Sequence, residues 1–443
     1  MPSDPMASGA RPSHPLPAGM RDWLPRQARR RARVSERVLS SLELFGYQRV
    51  ELPLFEYTDV LERGFGTTEE ALCFVEPETG KIAALRSDVT PQIARLVSTR
   101  HAEGPWPARL SYQASVLRRR RERARLDQQV LQVGFELVGP STEPAGDLEV
   151  LEAATSALMA AGIQDFTVDL AHAQIVGALV DPLGARARAE ALECLALKDQ
   201  TELRRVGARA GLTGRALDAL VALPELHGGA DLWPRAERAL SGTPAEQPMR
   251  SLERVWRAAV QADLAPRFVL DLGETREFYY YTGVMFHLLA EGPGEPLGSG
   301  GRYDTLFERF DLPCPAAGFA FHISNVCWAL DGQSEAEAGR GRVLVTARAE
   351  DPRVGPLLSQ LRAQRIPSAA GPDPGRSEAY ALHWDYTHVL ELGTEGARLR
   401  ALPADLPPDS AAAGEATELL LDGTDVSKLA RVVAGHLGVL EES

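Results

Sequence analysis

The sequence predicts an α+β protein: an antiparallel sheet flanked by helices, with a helical insertion and a small C-terminal α/β domain. Three observations carry that expectation. VLQVGFELV (130–138) alternates strictly, with Leu131, Val133, Phe135 and Leu137 on one side and Gln132, Gly134 and Glu136 on the other. A strand with one buried face has that period of two. DLEVLEAATSALMAAGI (147–163) sets Leu148, Leu151, Ala154 and Leu158 on one helical stripe. Residues 185–262 are rich in Ala, Leu and Arg at helical spacing, and GLTG and HGG supply turns.

Taken in order, residues 1–16 are polar and Pro-rich without an apolar run, and are expected to be a disordered lead-in rather than a secretory signal. The main domain is expected over 17–330. Arg26 to Leu44 is amphipathic, with Val34, Val38, Leu39, Leu42 and Leu44 at helical spacing, and FGYQRVELPLFEY (45–57) reads as a helix end and a short strand broken by Pro53. ARLSYQASVLR (108–118) and the alternating strand form a hairpin around the charged loop 119–128. FTVDL (166–170) is a strand, and 185–262 is the helical insertion. FVLDLG (268–273), FYYYTGVMF (278–286) and GSGGRYDTLFERF (298–310) read as strands returning to the main sheet, and CPAAGFAFHISNVCWAL (314–330) as a strand running into a helix. Residues 331–341 are a linker. The final domain, 342–443, has strands at 342–347 and 387–393 and helices at 354–365 and 426–437, interrupted by the Pro/Ala-rich 401–416.

The chain has 443 residues, 44% of them hydrophobic and 25% charged, which is enough to bury a sizeable core. It contains no apolar run of about 18 residues, the length a membrane helix needs. Cys73, Cys194, Cys314 and Cys327 lie far apart with no C-x-x-C pair, so reduced thiols in or near the core of a cytoplasmic protein are expected, and neither a disulfide framework nor a zinc site. The net charge of −13 is the reverse of the basic footprint of a nucleic-acid grip.

No Ser-His-Asp set, metal-spaced cluster or phosphate-binding loop is evident, and no cofactor or metal is expected. Polar residues on strands stand out instead: LRSDVTPQ (85–92), Arg118, Gln132, Glu136, Arg276, Tyr280, Tyr281 and GSGGRYD (298–304). A free amino acid needs a carboxylate and a neutral acceptor for its ammonium, and a guanidinium for its carboxylate. An imidazole side chain adds the need for an acceptor and a flat aromatic neighbour. Asp88, Gln132, Arg276 or Arg118, Glu136 and a tyrosine meet that list. Asp88 also reads as a cap for the helix that starts near Pro91. Tyr279, Tyr280 and Tyr281 cannot all face one ligand. The basic run 118–125 reads as a loop, a partner surface or a nucleic-acid contact.

The ordered strings GMRDWLP, FGYQRVELPLFE, LRSDVTPQ, Arg118-loop-LQVGFELVG, REFYYYTGVMF, GSGGRYD and AAGFAF resemble histidyl-tRNA synthetases, with their class II fold, over about residues 17–330. The resemblance implies that Asp88, Thr90 and Gln132 hold a histidine α-amino group, that Glu136 and Tyr281 lie around its imidazole, that Arg276 approaches its carboxylate, and that Arg118 is the first arginine of motif 2. Arg276 and Tyr281 are five apart, so an irregular backbone is needed near 277–278. Two departures stand out. Motif 2 normally reads Arg-x-Glu, and here it is Arg118-Arg119-Arg120. Motif 3 normally ends Gly-x-Glu-Arg, and here Ser324 and Asn325 take the last two places. Adenylation neutralises phosphate charge with such groups, so the resemblance moves from the enzyme to a paralogue.

LRSDVTPQIARLV, SVLR, LQVGFELVG and DLGETREFYYYTG are similar to the regulatory subunit of the short-form ATP phosphoribosyltransferase. That likeness implies a non-enzymatic protein with three properties. It activates a short catalytic subunit, confers feedback inhibition by L-histidine, and assembles as a dimer within a hetero-octamer of four regulatory and four catalytic chains. The rival expectation is a divergent histidyl-tRNA synthetase. The C-terminal region looks like a degenerate anticodon-binding domain; its 10 Lys+Arg against 15 Asp+Glu argue against a tRNA grip.

Overall fold

The computed structural model describes residues 16–65, 71–117, 128–139, 144–275, 280–331, 341–348, 351–394, 396–402, 418–422 and 425–438. The expected lead-in, the basic loop and the 331–341 linker lie almost wholly outside those residues. The chain divides into two compact units. One is Arg30–Gln333 with the segment ahead of Trp23, and the other is Ser334–Ser443 with Trp23–Arg29.

A nine-stranded sheet organises the larger unit. Across it run Gln48–Arg49, Ala108–Leu117, Gln129–Val138, Ala316–His322, Gly298–Arg302, Val284–Leu289, Thr167–His172, Phe268–Asp271 and His227–Gly228. The central strands pair antiparallel, as expected, and two outer pairs are parallel: Gln48–Arg49 with Ala108–Leu117, and Thr167–His172 with Phe268–Asp271. Both parallel pairs are joined by long crossovers, the second being the helical insertion itself, and parallel strands require such connections. The insertion begins earlier than expected, with the helix Ala173–Val180, and its His227–Gly228 segment pairs with the sheet.

Alternation along the strands separates two cores. Val133, Phe135, Leu137, Val168, Leu170, Phe286, Leu288, Phe319 and Phe321 pack on the back face. Against them lie Val150, Leu151, Ala154, Ala157 and Leu158 of the helix Ala145–Ala161 and Val34, Val38, Leu39 and Leu42 of the helix Pro25–Leu44. Phe319 is central, with Phe286 stacked on it at 4.9 Å between ring centroids. The front face is smaller and carries Tyr112, Ala114, Met285, Tyr281 and Tyr303 beneath Ile93 and Val97 of the helix Thr90–Arg100.

Several segments are shorter or less regular than their composition implies. Among the described residues of 278–286, strand structure begins at Val284 and residues 280–283 are irregular. The strand in 298–310 stops at Arg302, and Phe307–Phe310 is a 3-10 turn. A separate three-stranded sheet, Phe55–Tyr57, Ile82–Leu85 and Leu72–Val75, takes up the end of the broken strand expected in 45–57; its other two strands have no counterpart in the sequence reading. It carries Cys73, which is exposed rather than near the core, whereas Cys194 and Cys314 are buried and Cys327 is intermediate.

The smaller unit is a five-stranded sheet in the order Ser368–Ala370, Val343–Ala347, His388–Leu392, Gly396–Ala401 and Glu418–Asp422, with helices Val354–Ala363, Pro374–His383 and Val426–His436. Among the described residues no helix is long and apolar enough to cross a membrane.

Gly300 fixes how closely the central strands approach. A Cβ there would lie 2.3 Å from the Gly318 carbonyl and 2.6 Å from the Phe319 ring. Gly300→Ala is therefore expected to lower unfolding stability by about 1–3 kcal/mol in urea titration. A change within about 0.5 kcal/mol, as for a surface site, would show that the strands yield freely.

Candidate functional site

The front face is floored by residues with little or no side chain. Glu136 lies opposite Gly318, and Gly318 opposite Gly301; one step along, Gly134 lies opposite Ala320, and Ala320 opposite Ser299. The floor is bare because larger groups from neighbouring strands lean over it. A Cβ on Gly318 would fall 1.7 Å from Glu136 Oε2, and one on Gly134 2.4 Å from the Tyr112 hydroxyl.

Glu136 is the centre of this face, 2% exposed. The Thr90 hydroxyl donates to its Oε1 at 2.9 Å, and the Tyr303 hydroxyl donates to its Oε2. The Tyr112 hydroxyl lies close enough to act on the same carboxyl. Burial pushes the Glu136 carboxyl well above the usual carboxylate range and Asp88 adds to the rise, while the Thr90 and Tyr112 hydroxyls oppose it. Tyr112 is itself buried and raised, by burial first and then by Glu136 and Asp88.

Asp88 precedes Val89, the N-cap of the helix Thr90–Arg100, rather than being the cap itself. Its Oδ1 accepts the Val89 and Thr90 amides at 2.6 and 3.0 Å, which fixes the turn into that helix. It is also near enough to Glu136 to raise that carboxyl. Gln132 is 1% exposed and stands opposite His322; its Oε1 has no hydrogen-bond partner among the described residues. A buried amide oxygen in that state is a ready acceptor for an incoming N–H.

Tyr280 and Tyr281 form the wall. Their ring centroids are 4.6 Å apart, and those of Tyr280 and Tyr303 are 5.5 Å apart, edge to face. The structure thus brings Asp88, Thr90, Gln132, Glu136, Tyr280 and Tyr281 to one face. Arg118, Arg276 and Tyr279 lie outside the described residues, as does most of the basic run. Ser324 and Asn325 begin the helix Ile323–Asp331; Arg31 donates to the Ser324 hydroxyl at 2.5 Å, and Asn325 donates to the Pro296 carbonyl at 2.8 Å.

Two members of the face were not singled out in the sequence. Tyr303 sits inside GSGGRYD, where the glycines drew the attention. Tyr112 could have been found from the hairpin register, since an aromatic opposite a glycine on the Glu136 side must lean over it. Farther along the same face, Asp169, Glu274 and His287 bring potential ligand atoms within 4.8 Å of one another, the only such His/Cys/carboxylate group among the described residues. All three are buried, and each has other polar contacts of its own.

The histidyl-tRNA synthetase family model matches residues 19–326. An ATP phosphoribosyltransferase regulatory subunit from Geobacter sulfurreducens is 33% identical over 343 residues, 76% of this chain and 78% of that one. Another, from Moorella thermoacetica, is 34% identical over 373 residues, 83% of this chain and 94% of that one. A crystal structure described as an ATP phosphoribosyltransferase regulatory subunit/histidyl-tRNA synthetase from Bacillus halodurans matches with a TM-score of 0.72 at 26% identity, covering 86% of this chain and 99% of that one.

The raised Glu136 carboxyl has a signature in pH. A carboxyl raised by folding holds its proton more tightly in the native than in the unfolded chain. Its stabilising effect is present at low pH and lost as pH climbs from about 4.5 through the raised value. Glu136→Gln has no proton to lose. Its melting temperature is expected to gain on that of the parent as pH rises above about 4.5; a difference that stays flat would place the carboxyl in its ordinary range.

Proposed function

We propose a non-catalytic, histidine-sensing role for this chain, which belongs to the family of ATP phosphoribosyltransferase regulatory subunits on a histidyl-tRNA synthetase fold. In this reading the protein activates a short-form catalytic subunit in the cytoplasm and imposes feedback inhibition when L-histidine is abundant. Assembly is through a self-dimer, in a hetero-octamer of four regulatory and four catalytic chains.

One observation carries the choice of ligand: a buried carboxyl and a buried, unsatisfied amide acceptor share a glycine-floored face with aromatic walls. Glu136, ringed by the Thr90, Tyr112 and Tyr303 hydroxyls, suits an imidazole N–H, and Tyr281 supplies a flat surface beside it. Gln132 Oε1, with Asp88 and Thr90 nearby, suits the α-ammonium. Arg276 and Arg118 are the proposed partners of the carboxylate. The loss of catalysis is argued from the uncharged Ser324 and Asn325, which bond to Arg31 and a backbone carbonyl where a synthetase would offer an arginine to ATP. Feedback then requires only that histidine bind one state of the assembly better than the other; a tenfold preference shifts the balance by about 1.4 kcal/mol.

Mixing the purified chain with a short-form catalytic subunit is expected to raise the phosphoribosyltransferase rate, and added histidine to lower it. Absence of both activation and a complex on sizing would overturn the role. Histidine-dependent exchange between ATP and pyrophosphate by the chain alone would instead identify a synthetase. Within the site, Gln132→Ala and Glu136→Ala each remove a buried hydrogen-bonding group, a loss of about 1–3 kcal/mol. Calorimetry should therefore show histidine affinity falling roughly ten- to hundredfold with assembly retained; unchanged affinity would mean that histidine binds elsewhere.

A further inference from the structure

We infer that Arg302, on the opposite face of the sheet from the candidate site, is a positioning residue for it. This rests on the histidine-sensing reading above and names a determinant of the same pocket.

Arg302 is 2% exposed, deeply buried for an arginine. Its Nε donates to Asp147 Oδ1 at 2.8 Å, and its Nη1 to Asp304 Oδ1 at 3.1 Å. Asp147 lies in the first turn of the back helix Ala145–Ala161, where a carboxylate also meets the positive end of the helix dipole. The guanidinium is therefore fixed from the back.

Three connections lead from Arg302 to the front. Its carbonyl accepts the Thr282 amide at 2.8 Å and the Gly283 amide at 3.3 Å. Its side chain lies under Gly283, where a Cβ would come within 2.8 Å of Arg302 Cδ. The Thr282 hydroxyl in turn accepts the Asp304 amide at 2.8 Å. The irregular turn that presents Tyr280 and Tyr281 thus rests on Arg302 and on the residue two beyond it. Between them is Tyr303, which must point to the front because Arg302 points to the back. The turn that carries both aromatic walls and the strand end that carries Tyr303 thus meet at Arg302, through its carbonyl and through the buried side chain under Gly283.

Arg302→Gln alone strands the Asp147 carboxylate and risks the fold. The paired variant Asp147→Asn with Arg302→Gln removes both charges and leaves two amides that can still meet. The paired variant is expected to melt within a few degrees of the parent. The Thr282, Gly283 and Asp304 amides should nonetheless exchange hydrogen at least tenfold faster than in the parent, with the flanking strands unaffected. Histidine affinity by calorimetry should fall at least tenfold, and Arg302→Lys with Asp147 retained should recover part of it. If amide protection and affinity return together with thermal stability, Arg302 is a structural ion-pair partner only and the inference fails. The exchange readout needs no ligand. A parent chain that binds no histidine would sink the sensing reading, while the amide rates would still decide whether Arg302 holds the turn.

Discussion

A carboxyl group taken out of water sets the terms for the rest of the front face. Glu136 has almost no solvent contact, so its oxygens need donors from the protein. Two such donors are hydroxyls from separate parts of the chain, Thr90 at a helix start and Tyr303 at the end of a central strand, and the Tyr112 hydroxyl acts on the carboxyl from across the hairpin. Each brings a consequence. Thr90 requires the Asp88 turn that opens its helix, Tyr112 requires Gly134 beneath it, and the carboxyl itself requires Gly318. The strand order that joins these elements is what a single buried acid needs to be tolerated.

The hairpin was the most legible part of the sequence because its signal is local. Strict alternation over 130–138 fixed which side of the strand is core, and Val133, Phe135 and Leu137 lie on that side. The helix at 147–163 was legible for the same reason, its stripe repeating within one element. Tyr303 was not, since its partner Glu136 is 167 residues away and no periodicity connects them. The parallel pairings were hidden too. Gln48–Arg49 is two residues long, and a pairing that short leaves no pattern. The small sheet at 55–57, 72–75 and 82–85 escaped because exposed strands such as Leu72–Val75 do not alternate. In 278–286 the aromatic run imitated a strand, whereas the turn at 280–283 is held by bonds to Arg302 that composition does not encode.

The loss of charge at Ser324 and Asn325 reads differently once their bonds are known. Neither is left idle. Arg31 bonds Ser324, tying the helix Pro25–Leu44 to the start of the helix Ile323–Asp331, and Asn325 holds the Pro296 carbonyl ahead of the strand Gly298–Arg302. Uncharged side chains of this size can serve packing where long charged ones would reach for a phosphate. The start of the helix Ile323–Asp331 is thereby tied into the frame around the sheet.

The glycine floor constrains how the protein can change over generations. Glycine is the smallest residue, so every coding substitution at Gly134, Gly301 or Gly318 adds atoms to the floor and none removes any. Drift at these positions can only narrow the face or break it. Any widening of the face has to come from the rim, by trimming Tyr280, Tyr281 or Thr90. A lineage in which the face changed size would thus keep its floor and vary its walls.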